Sequence, residues 1–267
     1  MNRLTIGCLA LITVLFVASP ALPQAGAQNT SRKIDVGDFK LRAQIEGQPV
    51  EGQPTVVLVG GLGDGLEIWK LVQPAVAQFA RVVAYDRAGI GQSDPDSAPA
   101  TPQREAAQLQ TLLQNAGIKP PYVLVGHSIG GAYVRMFAGL YPGEVAGLVF
   151  VDPTDFTQTR ADLIAIWTEL GPGEAGLNAY EKDQAERFAQ QHAQDSPGAR
   201  AEAEVAILQL PKTGFEEFRS LPPLPDVPVV ILMATRSDMP PAVKQAYGKQ
   251  RLCISPSWRW TFRTDCS

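Results

Sequence analysis

The sequence predicts an α/β fold: a mostly parallel central sheet with helices on both faces and a helical cap insertion. Three observations predict it. Short continuous apolar runs, such as Thr55–Val59 and Val145–Val151, alternate with helix-length amphipathic stretches, the pattern of buried parallel strands joined by crossover helices. One such run, Tyr122–Val125, passes through a glycine-flanked turn directly into an apolar helix. The rhythm then breaks at Thr154, where a polar, helix-prone stretch from Asp155 to Ser220 intervenes before the next apolar run.

Taken in order, the first 27 residues read as a signal peptide. Arg3 supplies the positive charge, Leu9–Ala18 the apolar segment and Ala25-Gly26-Ala27 a small-x-small cleavage site, so that the mature chain starts at Gln28 and one domain spans 28–267. The apolar segment is too short for a membrane-spanning helix. The expectation is a secreted or periplasmic protein with no stable membrane anchor. Lys33–Glu46 alternates partly, with Gly37-Asp38 between its halves, and predicts an antiparallel hairpin. Thr55–Val59 is a buried strand stopped by glycines. Leu66–Phe79 places Ile68, Leu71, Val72, Ala75, Val76 and Phe79 on one stripe and predicts a helix. Arg81–Tyr85 is the next strand. Thr101 and Pro102 open a helix, as N-cap and first helical residue, that closes at Gly117. Val145–Val151 is a strand ending in Asp152-Pro153. Between Leu221 and Pro228, four prolines in eight residues return the chain from the insertion to the sheet. Val229–Ala234 is a further buried strand, and Pro241–Gln250 a short helix.

A chain of 267 residues with 45% apolar content can bury one large core. The formal charge of −4 is spread over mixed signs without a long basic run, which argues against a nucleic-acid partner. No C-x-x-C or histidine cluster suggests a metal. Cys253 and Cys266 could pair in an oxidising compartment or remain free thiols.

The chemistry centres on Gly126-His127-Ser128-Ile129-Gly130, a G-x-S-x-G between a strand and a helix. In that context the central residue takes a strained backbone conformation, and side chains two places before and after it would collide. Ser128 then holds its hydroxyl at a helix start, where the dipole favours developing negative charge. Acyl transfer by serine needs that hydroxyl, a base, and donors for a tetrahedral oxyanion. The backbone N–H of Ile129 is one candidate donor. The second is expected from the loop Gly60-Gly61-Leu62-Gly63-Asp64-Gly65, with Leu62 as the candidate. A dinucleotide-binding reading of that loop fails on spacing, because the third glycine would fall at Leu66.

The elbow, the Gly60–Gly65 loop, the segment Tyr85-Asp86-Arg87-Ala88-Gly89-Ile90-Gly91-Gln92-Ser93 and Val151-Asp152-Pro153 together resemble the α/β-hydrolase superfamily in its esterase- and lipase-like branch, over about Lys33–Asp238. The resemblance implies an eight-stranded, mostly parallel sheet, no cofactor, a small-molecule ester substrate and a Ser–acid–His triad. The implied acid is Asp238, after the strand Val229–Ala234, with Asp152 as the alternative. Asp86 and Arg87 are expected to brace their loop as an ion pair. Trp69 and Trp167 are candidates for lining the pocket or for plain core.

The resemblance also implies a Gly-His after the last strand. The chain carries two histidines. His127 is expected to pack beside the oxyanion loop, and His192 to sit on a solvated helix. The last strand is expected at Trp258–Phe262, and the chain stops where the Gly-His would follow. Two expectations result: a truncated or frameshifted reading frame whose relatives carry the full triad, or a ligand-binding protein on the same scaffold.

Overall fold

The structure, a computed structural model, describes residues 30–233. The expected signal peptide, Asp238, the helix expected at Pro241–Gln250, the strand expected at Trp258–Phe262, Cys253 and Cys266 lie outside the described residues. Within them, one sheet has seven strands: β1 (Thr30–Asp35), β2 (Lys40–Glu46), β3 (Thr55–Val59), β4 (Val82–Tyr85), β5 (Tyr122–His127), β6 (Val145–Val151) and β7 (Val229–Leu232). Their spatial order is β1-β2-β4-β3-β5-β6-β7. The hairpin β1–β2 and the β2–β4 pair are antiparallel, and every other pair is parallel.

The chain leaves β3 toward β4 on one side and returns to β5 on the other. The loops after β3 and β5 therefore diverge, opening a crevice at the carboxyl ends of two adjacent strands, where open α/β sheets bind ligands. The Gly60–Gly65 loop and Ser128 both lie at that switch point.

Side chains alternate between the sheet faces as the strand period requires. Val57, Val59, Val83, Tyr85, Leu124 and Phe150 point to one face, which α2 (Pro102–Asn115) and α3 (Ile129–Leu140) cover with Leu109, Leu112, Met136 and Phe137 among others. A smaller cluster of Leu58, Leu66, Trp69, Val82 and Ala84 fills the opposite face. The signals that start and stop α2 act as read: the Thr101 hydroxyl accepts the Arg104 N–H at 3.4 Å, Pro102 is the first helical residue, and Gly117 turns out with a φ of 72°.

One expected helix does not form. Leu66–Phe79 splits into a 3-10 turn at Leu66–Trp69 and a one-turn α1 at Gln73–Val76. Pro74 is the cause, since it has no N–H to bond back and disfavours helical geometry in the preceding residue. It is accommodated in the first turn of α1. The stripe is lost with the helix: Leu66 and Trp69 are buried, whereas Leu71 is 83% and Phe79 68% exposed.

Between β6 and β7 the chain forms α4 (Arg160–Glu169), α5 (Gly173–Gln191), α6 (Pro197–Ala203), a π-helical turn (Glu204–Gln209), α7 (Leu210–Thr213) and α8 (Glu216–Arg219). Phe150 of β6, Phe156 and Phe218 pack in succession, at ring separations of 6.1 and 5.3 Å, and tie this insertion to the sheet. No helix among the described residues is long and apolar enough to cross a membrane.

Candidate active site

Ser128 joins β5 to α3 at φ 52° and ψ −122°, a conformation that non-glycine residues rarely hold. Three backbone hydrogen bonds enforce it. The Ser128 N–H donates to Val151 O at 3.0 Å, and Ser128 O accepts from Gly131 at 2.9 Å and Thr154 at 3.1 Å. A Cβ on Gly126 would lie 2.4 Å from Gly130 O, and one on Gly130 would lie 2.5 Å from Gly60 O. The glycines are thus required by the turn itself and by the close approach of the loop after β3. Ser128 occupies the N-cap position of α3 without making a side-chain cap bond, so its half-buried hydroxyl is not consumed by the helix.

The Gly60–Gly65 loop stands across from this elbow. Within it, the Gly61 N–H donates to Asp64 Oδ2 at 3.1 Å, and the Asp64 N–H returns to Gly61 O at 3.0 Å. Among the described residues no protein group accepts the N–H of Leu62 or that of Ile129.

Arg87 holds the loop from behind. Its guanidinium donates to Gly60 O at 2.9 Å and Gly61 O at 2.5 Å. Asp86 is not its partner, contrary to the expected ion pair. The Asp86 carboxylate accepts the N–H groups of Leu66 (2.7 Å) and Gln92 (2.9 Å), with Arg42 3.5 Å away. Both residues brace loops, but separately, because their side chains leave the end of β4 in opposite directions.

The partner of Arg87 is Glu202, a residue that sequence reasoning passed over as one acid among many in a polar stretch. Glu202 Oε1 accepts from Arg87 Nε at 2.6 Å and from the Tyr133 hydroxyl at 2.9 Å. Its Oε2 accepts from Arg87 Nη2 at 3.0 Å and from the Gly63 N–H at 2.7 Å. Local sequence explains the placement. Ser196 caps α6 and Pro197 starts it. Gly198, where a Cβ would meet Ala88 O at 2.0 Å, lets the helix lie directly on the Ala88–Gly89 backbone. Burial lowers the Arg87 pKa, but Glu202 more than offsets it, so the guanidinium stays charged. Burial raises the Tyr133 pKa. Nearby Glu105 is pushed up to about 8, mainly by burial, against the attraction of Arg87.

The two histidines have different partners. The His127 ring packs on Gly61, with Nδ1 3.5 Å from Asp64 Oδ2, as its position beside the loop suggested. His192 is not solvated as expected. It ends α5, its Nδ1 lies 2.6 Å from Asp195 Oδ2, and its ring sits 4.7 Å from that of Phe188, so Asp195 and Phe188 on the same stretch of helix and turn shield it. His192 also faces a cavity of about 380 Å³ lined by Leu62, Gly63 and Asp64. Asp152 ends β6 at φ 42°, its N–H donating to Leu232 O at 2.7 Å. Among the described residues no group of three His, Cys, Asp or Glu side chains could hold a metal.

The alpha/beta hydrolase family model matches residues 56–263, most of the chain. The chain belongs to the alpha/beta hydrolase family. Among curated relatives, an AB hydrolase superfamily protein of Gibberella zeae is 30% identical over 146 residues, covering 52% of this chain and 45% of that protein. A (lyso)-N-acylphosphatidylethanolamine lipase of Bos taurus is 30% identical over 111 residues, covering 40% of this chain and 32% of the lipase. The chain spans less than half the length of the curated relatives it matches. Among solved structures, 2-hydroxy-6-oxo-6-phenylhexa-2,4-dienoate hydrolase from Rhodococcus sp. superposes with a TM-score of 0.55 at 19% identity, covering 82% of this chain and 88% of that one.

In this alpha/beta hydrolase a second cavity, of about 500 Å³, lies within the insertion, its lining running from Pro153 and Thr154, the segment bonded to the elbow, to Phe215. Trp167, Leu177, Tyr180 and Phe215 line it. The two tryptophans expected as pocket or core therefore divide: Trp167 faces the cavity, and Trp69 is core. A largely apolar chamber of this size suits a drug-sized organic ligand.

Proposed function

We propose that this chain is an exported serine hydrolase acting on carboxylic esters, with Ser128 as nucleophile. The observation that carries the reading is Ser128 at its strained φ of 52°, capping α3 with a hydroxyl that makes no cap bond. In this reading Oγ attacks the ester carbonyl and the alcohol leaves as the acyl-serine forms. Water then releases the acid and restores the hydroxyl. The N–H groups of Leu62 and Ile129 receive the oxyanion. Asp238 is the proposed acid and Asp152 the alternative. The cavity beside Thr154 takes the acyl or alcohol group. The name of the bovine lipase relative supports an ester substrate, and Arg3, Leu9–Ala18 and Ala25-Gly26-Ala27 support export.

Proton transfer sets the rate. Among the described residues no hydrogen bond joins either histidine to Ser128: His127 Nδ1 stands 3.5 Å from Asp64 Oδ2 without a hydrogen bond, and His192 Nδ1 lies 2.6 Å from Asp195 Oδ2. Loss of a triad histidine costs on the order of 10⁶ in kcat in a well-studied protease, leaving roughly 10³ over water from the rest of the site. Slow turnover is expected. The test is hydrolysis of a short-chain chromogenic ester by the chain and by Ser128→Ala. Turnover lost in the variant supports the reading, and equal rates refute it.

The placement of both histidines also favours a second reading, a ligand-binding protein on the hydrolase scaffold. It requires saturable binding in the cavity with turnover no faster than buffer, and Ser128-dependent turnover excludes it.

A further inference from the structure

The carbonyl of Gly61 and the N–H of Leu62 belong to one planar trans peptide, so they point in opposite directions. Arg87 Nη2 grips that carbonyl at 2.5 Å, which aims the Leu62 N–H away from the guanidinium. The next peptide is held by Glu202, whose Oε2 takes the Gly63 N–H at 2.7 Å. A buried ion pair, with Arg87 and Glu202 each 1% exposed, thus holds both peptide planes flanking Leu62, and the Asp64 N–H shares the Gly61 carbonyl at 3.0 Å. A cation on the carbonyl also polarises the amide and makes its N–H a stronger donor. The two halves of the pair come from different parts of the fold: Arg87 follows β4, and Glu202 rides on α6 of the insertion.

We propose that Arg87 and Glu202 are positioning residues that set and polarise the Leu62 N–H, so that one donor of the oxyanion hole is assembled only when the insertion is docked. This rests on the serine-hydrolase reading above. In this proposal both side chains act through the backbone and neither contacts the substrate. Arg87 acts through the Gly61–Leu62 peptide, and Glu202 acts through Arg87 and the Gly63 amide. The donor is ready before substrate arrives, and any movement of α6 disassembles it.

The test compares the full chain with Arg87→Lys and Glu202→Gln. Arg87→Lys keeps the charge but cannot span both carbonyls. Glu202→Gln keeps the shape but loses the charge. In the variants that melt as folded proteins, kcat for the ester is expected to fall about 10- to 100-fold while KM stays within about threefold, the split of an interaction made in the transition state. An unchanged kcat, or a rise in KM alone, overturns the proposal. A second readout needs no turnover. The Leu62 amide proton is expected to shift to lower frequency in Arg87→Lys, while amides of α2 keep their values. A Leu62 amide that does not move overturns the proposal. If the unmodified chain shows no Ser128-dependent hydrolysis, the hydrolase reading fails, and the amide readout still decides whether Arg87 sets the Leu62 N–H.

Discussion

Thr154 donates its backbone N–H to the carbonyl of Ser128 at 3.1 Å, which fastens the start of the insertion to the elbow. Ser128 N–H in turn bonds Val151 O at 3.0 Å, so the strained residue is stitched to β6 and to the segment that follows it. The strain is therefore maintained by the fold and is not relieved by local relaxation. Replacing Ser128 with Gly removes the cost of a positive φ, about 1–3 kcal/mol, and adds back about 0.5–1 kcal/mol of unfolded-chain entropy. Ser128→Gly should be more stable than Ser128→Ala by about 1 kcal/mol. Urea unfolding of the two variants decides it, and an Ala variant as stable as the Gly variant would contradict strain at this site.

Gly130 separates the elbow from the loop after β3. A Cβ there would sit 2.5 Å from Gly60 O and 2.6 Å from Val59 O, both backbone atoms that cannot rotate away. Gly130→Ala should destabilise the fold by about 1–3 kcal/mol, the range for overpacking, and should displace the Gly60–Gly65 loop. Denaturant midpoint and ester turnover are the measurements. A variant with wild-type values for both would mean that the loop yields freely.

The split of Leu66–Phe79 gives a contrast within one segment. Leu66 and Trp69 belong to the smaller core cluster, whereas Leu71 and Phe79 face solvent. Leu66→Ala should cost about 2–5 kcal/mol, the range for large-to-small core changes. Leu71→Ser should stay within about 0.5 kcal/mol, as at other surface sites. Comparable losses from the two would restore the continuous helical stripe.

The parts of the molecule legible in the sequence were those governed by local rules. β3, β5 and β6 are short apolar runs next to glycines, and the elbow is forced by Gly126 and Gly130 around Ser128. The apolar spacing of Leu66–Phe79 points to one helix, but Pro74, whose missing N–H cannot bond back, decides the local structure. Glu202 was not legible for a different reason. It lies 115 positions from Arg87, and nothing in its neighbours marks it off from the exposed acids of the insertion. The available signal was indirect: an arginine beside a buried strand end requires a carboxylate, and Asp86 was the nearest in sequence but already bonded to Leu66 and Gln92.

Glu105 on α2 gives the fold a pH dependence with a definite sign. Its carboxyl is fully buried, Oε2 has no hydrogen-bond partner among the described residues, and burial pushes its pKa up to about 8. Glu202 and Asp96 raise it further, while Arg87 and Arg104 pull it down. In the unfolded chain the same group titrates at about 4.5, the ordinary glutamate value. Between those values the folded state holds a proton that the unfolded state has released. Its contribution to stability is therefore complete below about 4.5 and is lost as pH rises toward about 8, at no more than about 1.4 kcal/mol per pH unit. Glu105→Gln carries the neutral shape at every pH and should remove this slope. Urea unfolding at pH 5, 7 and 9 should show the variant gaining on the wild type steadily as pH rises, with the largest advantage at pH 9. A constant difference between the two proteins across that range would mean that Glu105 ionises in the folded state as readily as in the unfolded one, and that its burial is relieved by water.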